Sequence, residues 1–199
     1  MCGRYEFSSE DDIEEIQTIL REIDAKRHGS SFKTGEIFPT NLAPVYAVSN
    51  GEPALAIMKW GFPRWDGKGV IINAKAETAA EKRTFSSSLK ERRCVIPATG
   101  FYEWHKKEKA KSTDKYLFQM NDSPMLYMAG LYNQFQVGES ITECFVIFTR
   151  MANSSIQDIH DRMPVILRRN ELENWLMDKN FIEPTFQRDD IILQRSLMC

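Results

Sequence analysis

Short apolar runs separated by turn residues fill most of the chain between residues 46 and 149, and this pattern constrains the fold more than any other feature. Asn50 and Gly51 separate the runs 46–48 and 55–60, as the two-residue turn of a β-hairpin does. Comparable runs, each predicted to be a strand, occupy residues 94–97, 116–120, 125–132 and 143–149, with a turn at 121–124. The chain is therefore predicted to be rich in β-strands.

A helical pattern precedes this strand-rich region. Its apolar side chains fall on one helical face, at Ile13, Ile16, Leu20 and Ile23. Ser9 is predicted to cap the helix at its N-terminal end, and Gly29 is predicted to mark its C-terminal end.

A second helical pattern follows the strands. Asn170 and Glu173 resemble a capping box. The apolar side of this short helix is formed by Leu172, Trp175 and Leu176. Because helices flank the strands without alternating regularly with them, we expect an α+β fold with a curved, mainly antiparallel sheet in a single domain spanning 1–199.

The composition excludes several classes of protein. A net charge of −2 over 199 residues argues against a globally basic nucleic-acid binder, so any DNA contact must come from a local patch. No apolar run approaches the ~18 residues of a membrane span, and the N-terminus lacks the features of a signal peptide, so a cytoplasmic location without a membrane partner is expected. The four cysteines form no C-x-x-C pair and the three histidines lack zinc-ligand spacing, which predicts free thiols and no metal or other cofactor.

Cys2 is the most informative single residue. A small residue after the initiator Met1 permits removal of that methionine, which would leave an α-amine and a thiol on adjacent carbons. An α-amine titrates near ~7.7–8.0, so part of it is uncharged and nucleophilic at neutral pH. It could attack an aldehyde to give a Schiff base, which the thiol could close to a thiazolidine ring. The alternative is that position 2 simply holds a small residue.

Three further segments concentrate polar side chains beside apolar runs. Asn73 follows a predicted strand, where it could serve chemistry or satisfy a turn. Glu103 lies between Tyr102 and Trp104, which would desolvate its carboxyl group and raise its pKa unless it sits exposed at a strand edge. His160 precedes Asp161 in front of another apolar run, and it could transfer protons or be structural.

An aromatic segment at residues 60–65 offers a further candidate site. Its aromatic side chains alternate with Arg64, as they would on a surface that stacks against bases. The same segment could equally be a buried aromatic cluster.

Taken together, these segments resemble the SOS response-associated peptidase family, the abasic-site processing proteins. The resemblance spans almost the whole chain and rests on five motifs in the family's order, at residues 1–5, 60–62, 73–78, 92–104 and 160–164. It implies a compact α+β domain around a β-barrel-like sheet. It also implies a positively charged cleft that binds single-stranded DNA containing abasic sites, in a protein that we expect to be a monomer.

The resemblance also implies roles for individual residues. Cys2 would be the nucleophile, Asn73 would position it and the opened sugar, Glu103 would give and take the proton, and His160 would assist ring opening. Phosphate contacts are expected from Arg4, Lys75, Arg92, Arg93 and Arg162, and base contacts from Phe62 and Trp65.

Two positions depart from the family pattern. Lys75 stands where the family commonly has arginine, and Ser86 stands where a basic residue is usual. At the first position, lysine offers a single point charge where the planar guanidinium group of arginine could bind a phosphate with two hydrogen bonds. At the second position the positive charge is lost, so weaker DNA binding is expected.

Three functions compete at this point. The first is an abasic-site sensor that crosslinks itself to DNA through Cys2 in a lyase-like reaction and shields the lesion from strand cleavage. The second is a cysteine-type peptidase, a hydrolase with autoproteolytic activity, in which Cys2 is the nucleophile and His160 the base. The third is a single-strand binding module that uses only the aromatic and basic side chains.

Overall fold

A computed structural model describes residues 2–8, 13–26, 32–106 and 113–198. The strands within them are β1 (Tyr5–Phe7), β2 (Gly35–Ile37), β3 (Leu42–Ser49), β4 (Glu52–Trp60), β5 (Phe62–Pro63), β6 (Val70–Ile71), β7 (Asn73–Lys75), β8 (Arg93–Ala98), β9 (Gly100–Lys106), β10 (Thr113–Met120), β11 (Leu126–Val137), β12 (Ser140–Met151), β13 (Arg162–Pro164), β14 (Ile166–Leu167) and β15 (Leu193–Met198). The helices are α1 (Glu14–Lys26), α2 (Ser86–Glu91), α3 (Leu172–Met177) and α4 (Ile182–Gln187). The predicted strand-rich centre and both helical regions are confirmed.

Five strands close into a barrel. Around the ring, β12 pairs with β4, β4 with β3, β3 with β8, β8 with β11, and β11 returns to β12. All of these pairs are antiparallel except β4 with β12, which run parallel where Lys59 lies opposite Cys144 and Trp60 opposite Phe145. The predicted curved, mainly antiparallel, barrel-like sheet is therefore confirmed.

Tight backbone geometry makes the barrel possible at two places. Asn50 and Gly51 both have positive φ, at 54° and 84°, as the predicted hairpin turn between β3 and β4 requires. At Gly130 on β11, a Cβ atom would lie 2.5 Å from Ile96 Cδ1 and 2.6 Å from the Val146 carbonyl oxygen. Strands on either side of β11 therefore approach its backbone as closely as glycine alone allows.

A second sheet lies against the barrel, in the strand order β15, β10, β9, β1, β2. The side chains that point inward from it are large and fully buried, and they include Tyr5, Phe101 and Phe118. The Tyr5 ring packs against Trp60 of the barrel with centroids 5.2 Å apart. This contact fixes β1, and with it the chain around Cys2, against the barrel wall.

The helices bury the faces that the apolar patterns predict. On α1, Ile16 and Ile23 are buried, while Ile13 and Leu20 are half-buried against the same core, which also contains Ile19, a residue outside the predicted pattern. Trp175 and Leu176 of α3 join this core. Ser9 and Gly29, the predicted ends of α1, lie outside the described residues. The capping box predicted from Asn170 and Glu173 is wrong, because Glu171 accepts the hydrogen bond, at 2.7 Å from the backbone nitrogen of Arg168.

The cysteines Cys2, Cys94 and Cys144 are free thiols, as predicted, whereas Cys199 lies outside the described residues. Among the described residues, no group of three or more potential metal ligands comes together. None of the helices in the described part of the chain is long and apolar enough to cross a membrane.

Candidate active site

Cys2 lies directly before β1 and is completely buried. Its sulfur is 3.8 Å from the carbonyl oxygen of Arg4, which accepts a weak hydrogen bond from the thiol. Burial raises the pKa of the Cys2 thiol far above its ordinary value, and the nearby Glu103 carboxylate raises it further. The side chain is therefore a neutral thiol at physiological pH.

Glu103 projects from the centre of β9 towards the barrel. Only 3% of the residue is exposed, and this burial raises the pKa of its carboxyl group above the ordinary value, although nearby His160 opposes the shift. The predicted desolvation is thus confirmed, and the alternative of an exposed carboxylate at a strand edge is wrong. A carboxyl group that keeps its proton to higher pH is suited to general acid catalysis.

His160 approaches Glu103 from the segment before β13. Its Nε2 atom is 3.9 Å from Glu103 Oε2, although 57 positions separate the two residues in the chain. On the other side of the ring, Nδ1 accepts a hydrogen bond of 2.9 Å from the backbone N–H of Arg162, and Asp161 Oδ1 lies 3.0 Å away. The structure therefore brings Glu103 and His160 together beside Cys2.

Asn73 begins β7, which runs parallel to β12. Its Nδ2 atom donates a long hydrogen bond of 3.5 Å to the carbonyl oxygen of Ile147, while Oδ1 is buried and has no hydrogen-bond partner among the described residues. The carbonyl oxygen of the preceding residue, Ile72, accepts a hydrogen bond from Trp60 Nε1 at 3.1 Å, and the Trp60 ring packs against Tyr5 of β1. The predicted role of Asn73 at the nucleophile stays a prediction.

Arg93 belongs to the scaffold. It is 4% exposed, and its guanidinium group donates to the carbonyl oxygens of Leu89, Trp175 and Leu176. It thereby satisfies carbonyl groups at the C-terminal ends of α2 and α3. The expectation that Arg93 contacts phosphate is wrong, because its donors already serve buried backbone groups.

Arg162 is also committed to the protein. It is 7% exposed, and its two terminal nitrogens lie 2.7 and 2.8 Å from the two carboxylate oxygens of Glu77. One of these nitrogens also donates to the carbonyl oxygen of Thr149 at 2.6 Å. The expectation of a phosphate contact is corrected here as well, since a buried guanidinium in a bidentate ion pair has little left to offer a phosphate.

Arg4 and Arg92 keep more of their charge available. Arg4 is paired with Glu36 at 3.0 Å and lies over the ring of Phe38, but Glu36 also pairs with Lys115, so two cations share one carboxylate. Arg92 donates to the neutral amide of Asn133 at 3.0 Å. Their role as phosphate contacts stays a prediction.

The aromatic segment divides between core and surface. Phe62 is fully buried, and its ring packs 4.8 Å from that of Phe135, so it has no free face for a base and the expected base contact is wrong. Trp65 is 96% exposed in the loop between β5 and β6, and it stays a candidate for stacking on a base. Lys75 at the end of β7 is exposed and remains a candidate phosphate contact. Ser86, the second departure, begins α2.

Glu77 is a residue of the site that the sequence analysis did not predict. It contributes the carboxylate to Arg162, which is 85 positions away along the chain. This hydrogen bonding lowers the pKa of Glu77 below its ordinary value. A contact over such a separation leaves no local pattern from which it could be predicted.

Comparison with known proteins places the chain in a family. The model of the SOS response associated peptidase family matches residues 1–191. The abasic site processing protein YoaM of Bacillus subtilis is 36% identical over 194 residues, covering 90% of this chain and 81% of the relative. The abasic site processing protein YedK of Escherichia coli is 31% identical over 182 residues, covering 88% of this chain and 79% of the relative.

The fold has solved counterparts. A crystal structure of a protein from Bacteroides thetaiotaomicron superimposes with a TM-score of 0.81 at 23% identity, covering all of this chain and 92% of the other. Fold, motifs and sequence similarity agree, and the chain belongs to the SOS response associated peptidase family.

Proposed function

We propose that this protein processes abasic sites in DNA by binding single-stranded DNA and forming a covalent crosslink through Cys2. Relatives that carry the name abasic site processing protein support the substrate class. The observation that carries the proposal is the buried carboxyl group of Glu103, which faces His160 at 3.9 Å and lies within electrostatic range of the Cys2 thiol.

The first nucleophile is the α-amine of Cys2, which becomes available once Met1 is removed. Met1 lies outside the described residues, so its removal is part of the proposal. The amine adds to the C1′ aldehyde of the opened sugar to give a carbinolamine, whose hydroxyl group leaves as water with a proton from Glu103. The product is a Schiff base between the Cys2 nitrogen and the sugar.

The thiol acts second. Because burial raises the pKa of the Cys2 thiol, little thiolate is present. The thiol can nevertheless add to the carbon of the Schiff base, which is more electrophilic than the aldehyde's hydrate. Sulfur then bonds to C1′ and the thiol proton goes to nitrogen, which closes the thiazolidine ring without any oxidant. A cysteine peptidase, by contrast, needs a lowered thiol pKa, so the direction of the shift favours crosslinking over peptidase activity.

Binding to DNA would come from a local surface. Trp65 offers an exposed ring, and the side chains of Lys75, Arg92 and Arg4 supply positive charge around the site. Base stacking does not depend on base identity, so such a surface suits single-stranded DNA of any sequence. It also accommodates a net charge of −2 over the whole chain.

An abasic oligonucleotide tests the proposal directly. Protein whose mass confirms the loss of Met1 is incubated with single-stranded DNA that contains one abasic site, and with the intact oligonucleotide as control. We expect a heat-stable band of lower mobility only with the abasic strand. Binding to both strands without such a band would instead identify a non-covalent binding module, and cleavage of a peptide substrate without the band would identify a peptidase.

A further inference from the structure

The Nδ1 atom of His160 has two close neighbours, one of which requires it to accept a hydrogen bond and the other to donate one. The backbone N–H of Arg162 donates to it at 2.9 Å, and Asp161 Oδ1 lies 3.0 Å away. A ring nitrogen of neutral imidazole either accepts a hydrogen bond or donates one. Only one of the two neighbours can therefore determine where the proton of the neutral ring resides.

The Arg162 amide is the stronger determinant. A backbone N–H can only donate, and this one belongs to a residue that is 7% exposed. The Asp161 side chain is 77% exposed, so water competes with the ring for its carboxylate. Nδ1 therefore accepts, and the proton of neutral His160 lies on Nε2, the atom that faces Glu103 Oε2 at 3.9 Å.

The Arg162 side chain holds this backbone in place. Its two hydrogen bonds to the Glu77 carboxylate, at 2.7 and 2.8 Å, hold the guanidinium group in one orientation and one position. The bond to the Thr149 carbonyl oxygen attaches the same group to β12. Glu77 lies in the short turn after β7, so the ion pair links that turn to the segment that carries His160.

We propose that Glu77 and Arg162 are positioning residues that keep His160 in the tautomer with its proton on Nε2, directed at Glu103. Neither residue needs to touch the DNA. The kinetic part of this inference rests on the proposed function, whereas the tautomer itself is a property of the protein without DNA.

Nitrogen-15 NMR of the histidine side chains tests the tautomer. The chain has three histidines, so His28 and His105 serve as internal references for His160. At a pH where the ring is neutral, the His160 signals of the unaltered protein should show a protonated Nε2 and a free Nδ1. Glu77→Gln should move them towards the averaged values of a ring that exchanges between tautomers.

Three further variants make the test specific. Arg162→Lys keeps the charge but loses the bidentate geometry, so it should shift the tautomer as Glu77→Gln does, and it replaces that variant if Glu77→Gln fails to fold. Asp161→Asn should leave Nε2 protonated, because the Arg162 amide still donates to Nδ1. Glu81→Gln removes an equally negative, exposed side chain from the same region and should change nothing.

Single-turnover crosslinking gives the kinetic arm. We expect Glu77→Gln to slow adduct formation by roughly 10-fold or more, since misplacing a catalytic group by about 1 Å can cost 10²-fold. Affinity for an intact oligonucleotide at the same salt concentration should stay within about twofold, because an ion pair that is already satisfied contributes little phosphate binding.

The outcomes separate the inference from the proposed function. If Glu77→Gln leaves both tautomer and rate unchanged while DNA binding tightens, Arg162 is a phosphate contact restrained by Glu77 and the inference is overturned. If Asp161→Asn moves the proton to the other nitrogen, Asp161 sets the tautomer and the inference is again wrong. If no protein forms a crosslink, the proposed function fails, but the NMR result still decides the positioning role.

Discussion

Cys2 and Glu103 of the candidate site are almost completely buried and the His160 side chain is 25% exposed, whereas the loop between β5 and β6 exposes 96% of Trp65. In the site, burial raises the pKa of both the thiol and the carboxyl group, so both groups keep their protons to higher pH. In the loop, the Trp65 ring is simply presented to solvent. Under the proposed function, this difference assigns the covalent chemistry and the DNA affinity to separate regions, so single substitutions should separate them.

Replacing Cys2 should produce the largest effect. Cys2→Ala is expected to abolish the heat-stable adduct while single-strand binding persists, because the thiol that closes the ring is lost and the exposed surface is not. Cys94→Ala is the matched control, since Cys94 is equally buried and its thiol pKa is also raised, but it carries no α-amine. Undiminished crosslinking by Cys2→Ala would falsify the thiazolidine mechanism.

Glu103→Gln should slow adduct formation much more than it weakens binding. Gln keeps the shape of Glu but cannot give or take the proton, and such groups typically contribute ~10²–10⁴-fold in rate. Affinity for an intact oligonucleotide should hardly change, because an anion does not attract phosphates. Single-turnover rates and affinities at one salt concentration decide it, and equal losses in both would mean that Glu103 only organises the cleft.

Trp65→Ala should have the converse effect. Loss of one stacked base is expected to weaken single-strand binding by about 1–3 kcal/mol, while the crosslinking rate at saturating DNA stays unchanged. Fluorescence anisotropy with an intact oligonucleotide measures the affinity. If saturating DNA fails to restore the rate, the loop takes part in the chemistry and the separation of the two regions is wrong.

Phe62→Ala provides the structural contrast within the same segment. Because Phe62 is fully buried, its truncation should cost about 3–5 kcal/mol of the free energy of unfolding, as buried aromatic truncations generally do. Trp65→Ala should leave this free energy nearly unchanged.

Lys75→Arg should strengthen binding by a smaller amount. An arginine at this exposed position can engage a phosphate with two parallel hydrogen bonds, and we expect a gain of about 1 kcal/mol or less. The gain should shrink as salt is added. A gain in crosslinking rate at saturating DNA, without a gain in affinity, would contradict the assignment of Lys75 to the binding surface.

A pH dependence of stability is the smallest expected effect. Since burial raises the pKa of Glu103 in the folded protein, the unfolded chain ionises this group first as pH increases. Unaltered protein and Glu103→Gln should therefore melt similarly in acid, and the variant should melt at a slightly higher temperature near neutral pH. Identical melting curves at both pH values would mean that neighbouring groups fully compensate the buried carboxylate.

Local patterns predicted much of the fold. The hairpin at Asn50 and Gly51, the strands that follow and the apolar faces of α1 and α3 depend on short-range preferences, and the structure confirms them. The parallel contact between β4 and β12 could not be predicted in this way, because it joins residues 59–60 to residues 144–145. Barrel closure is a property of distant segments, although the family resemblance implied it.

The candidate site was predictable to a different degree at each residue. The burial of Glu103 was predicted from its aromatic neighbours, but these do not cause it, because successive side chains of a strand face opposite sides and Lys115 lies over both the Tyr102 and the Trp104 ring on the other face of β9. The carboxyl group faces His160 instead, which is distant in the sequence.

The roles of Arg93 and Arg162 could not be predicted, since the residue type alone does not show whether an arginine is exposed or buried. Most of their partners, Trp175 and Leu176 for Arg93 and Glu77 for Arg162, are distant in sequence and become neighbours only in the folded chain.

The parallel pairing of β4 with β12 also has a consequence for the order of folding events. Contacts between segments so far apart must overcome a large loop-closure entropy, and they generally form late and slowly. β4 ends at Trp60, which supports Tyr5 and thereby β1, so the candidate site around Cys2 is completed only when the ring of strands is complete. A newly made chain should consequently lack the arrangement of Cys2, Glu103 and His160 until its slowest folding step has passed, which would delay the proposed crosslinking relative to synthesis.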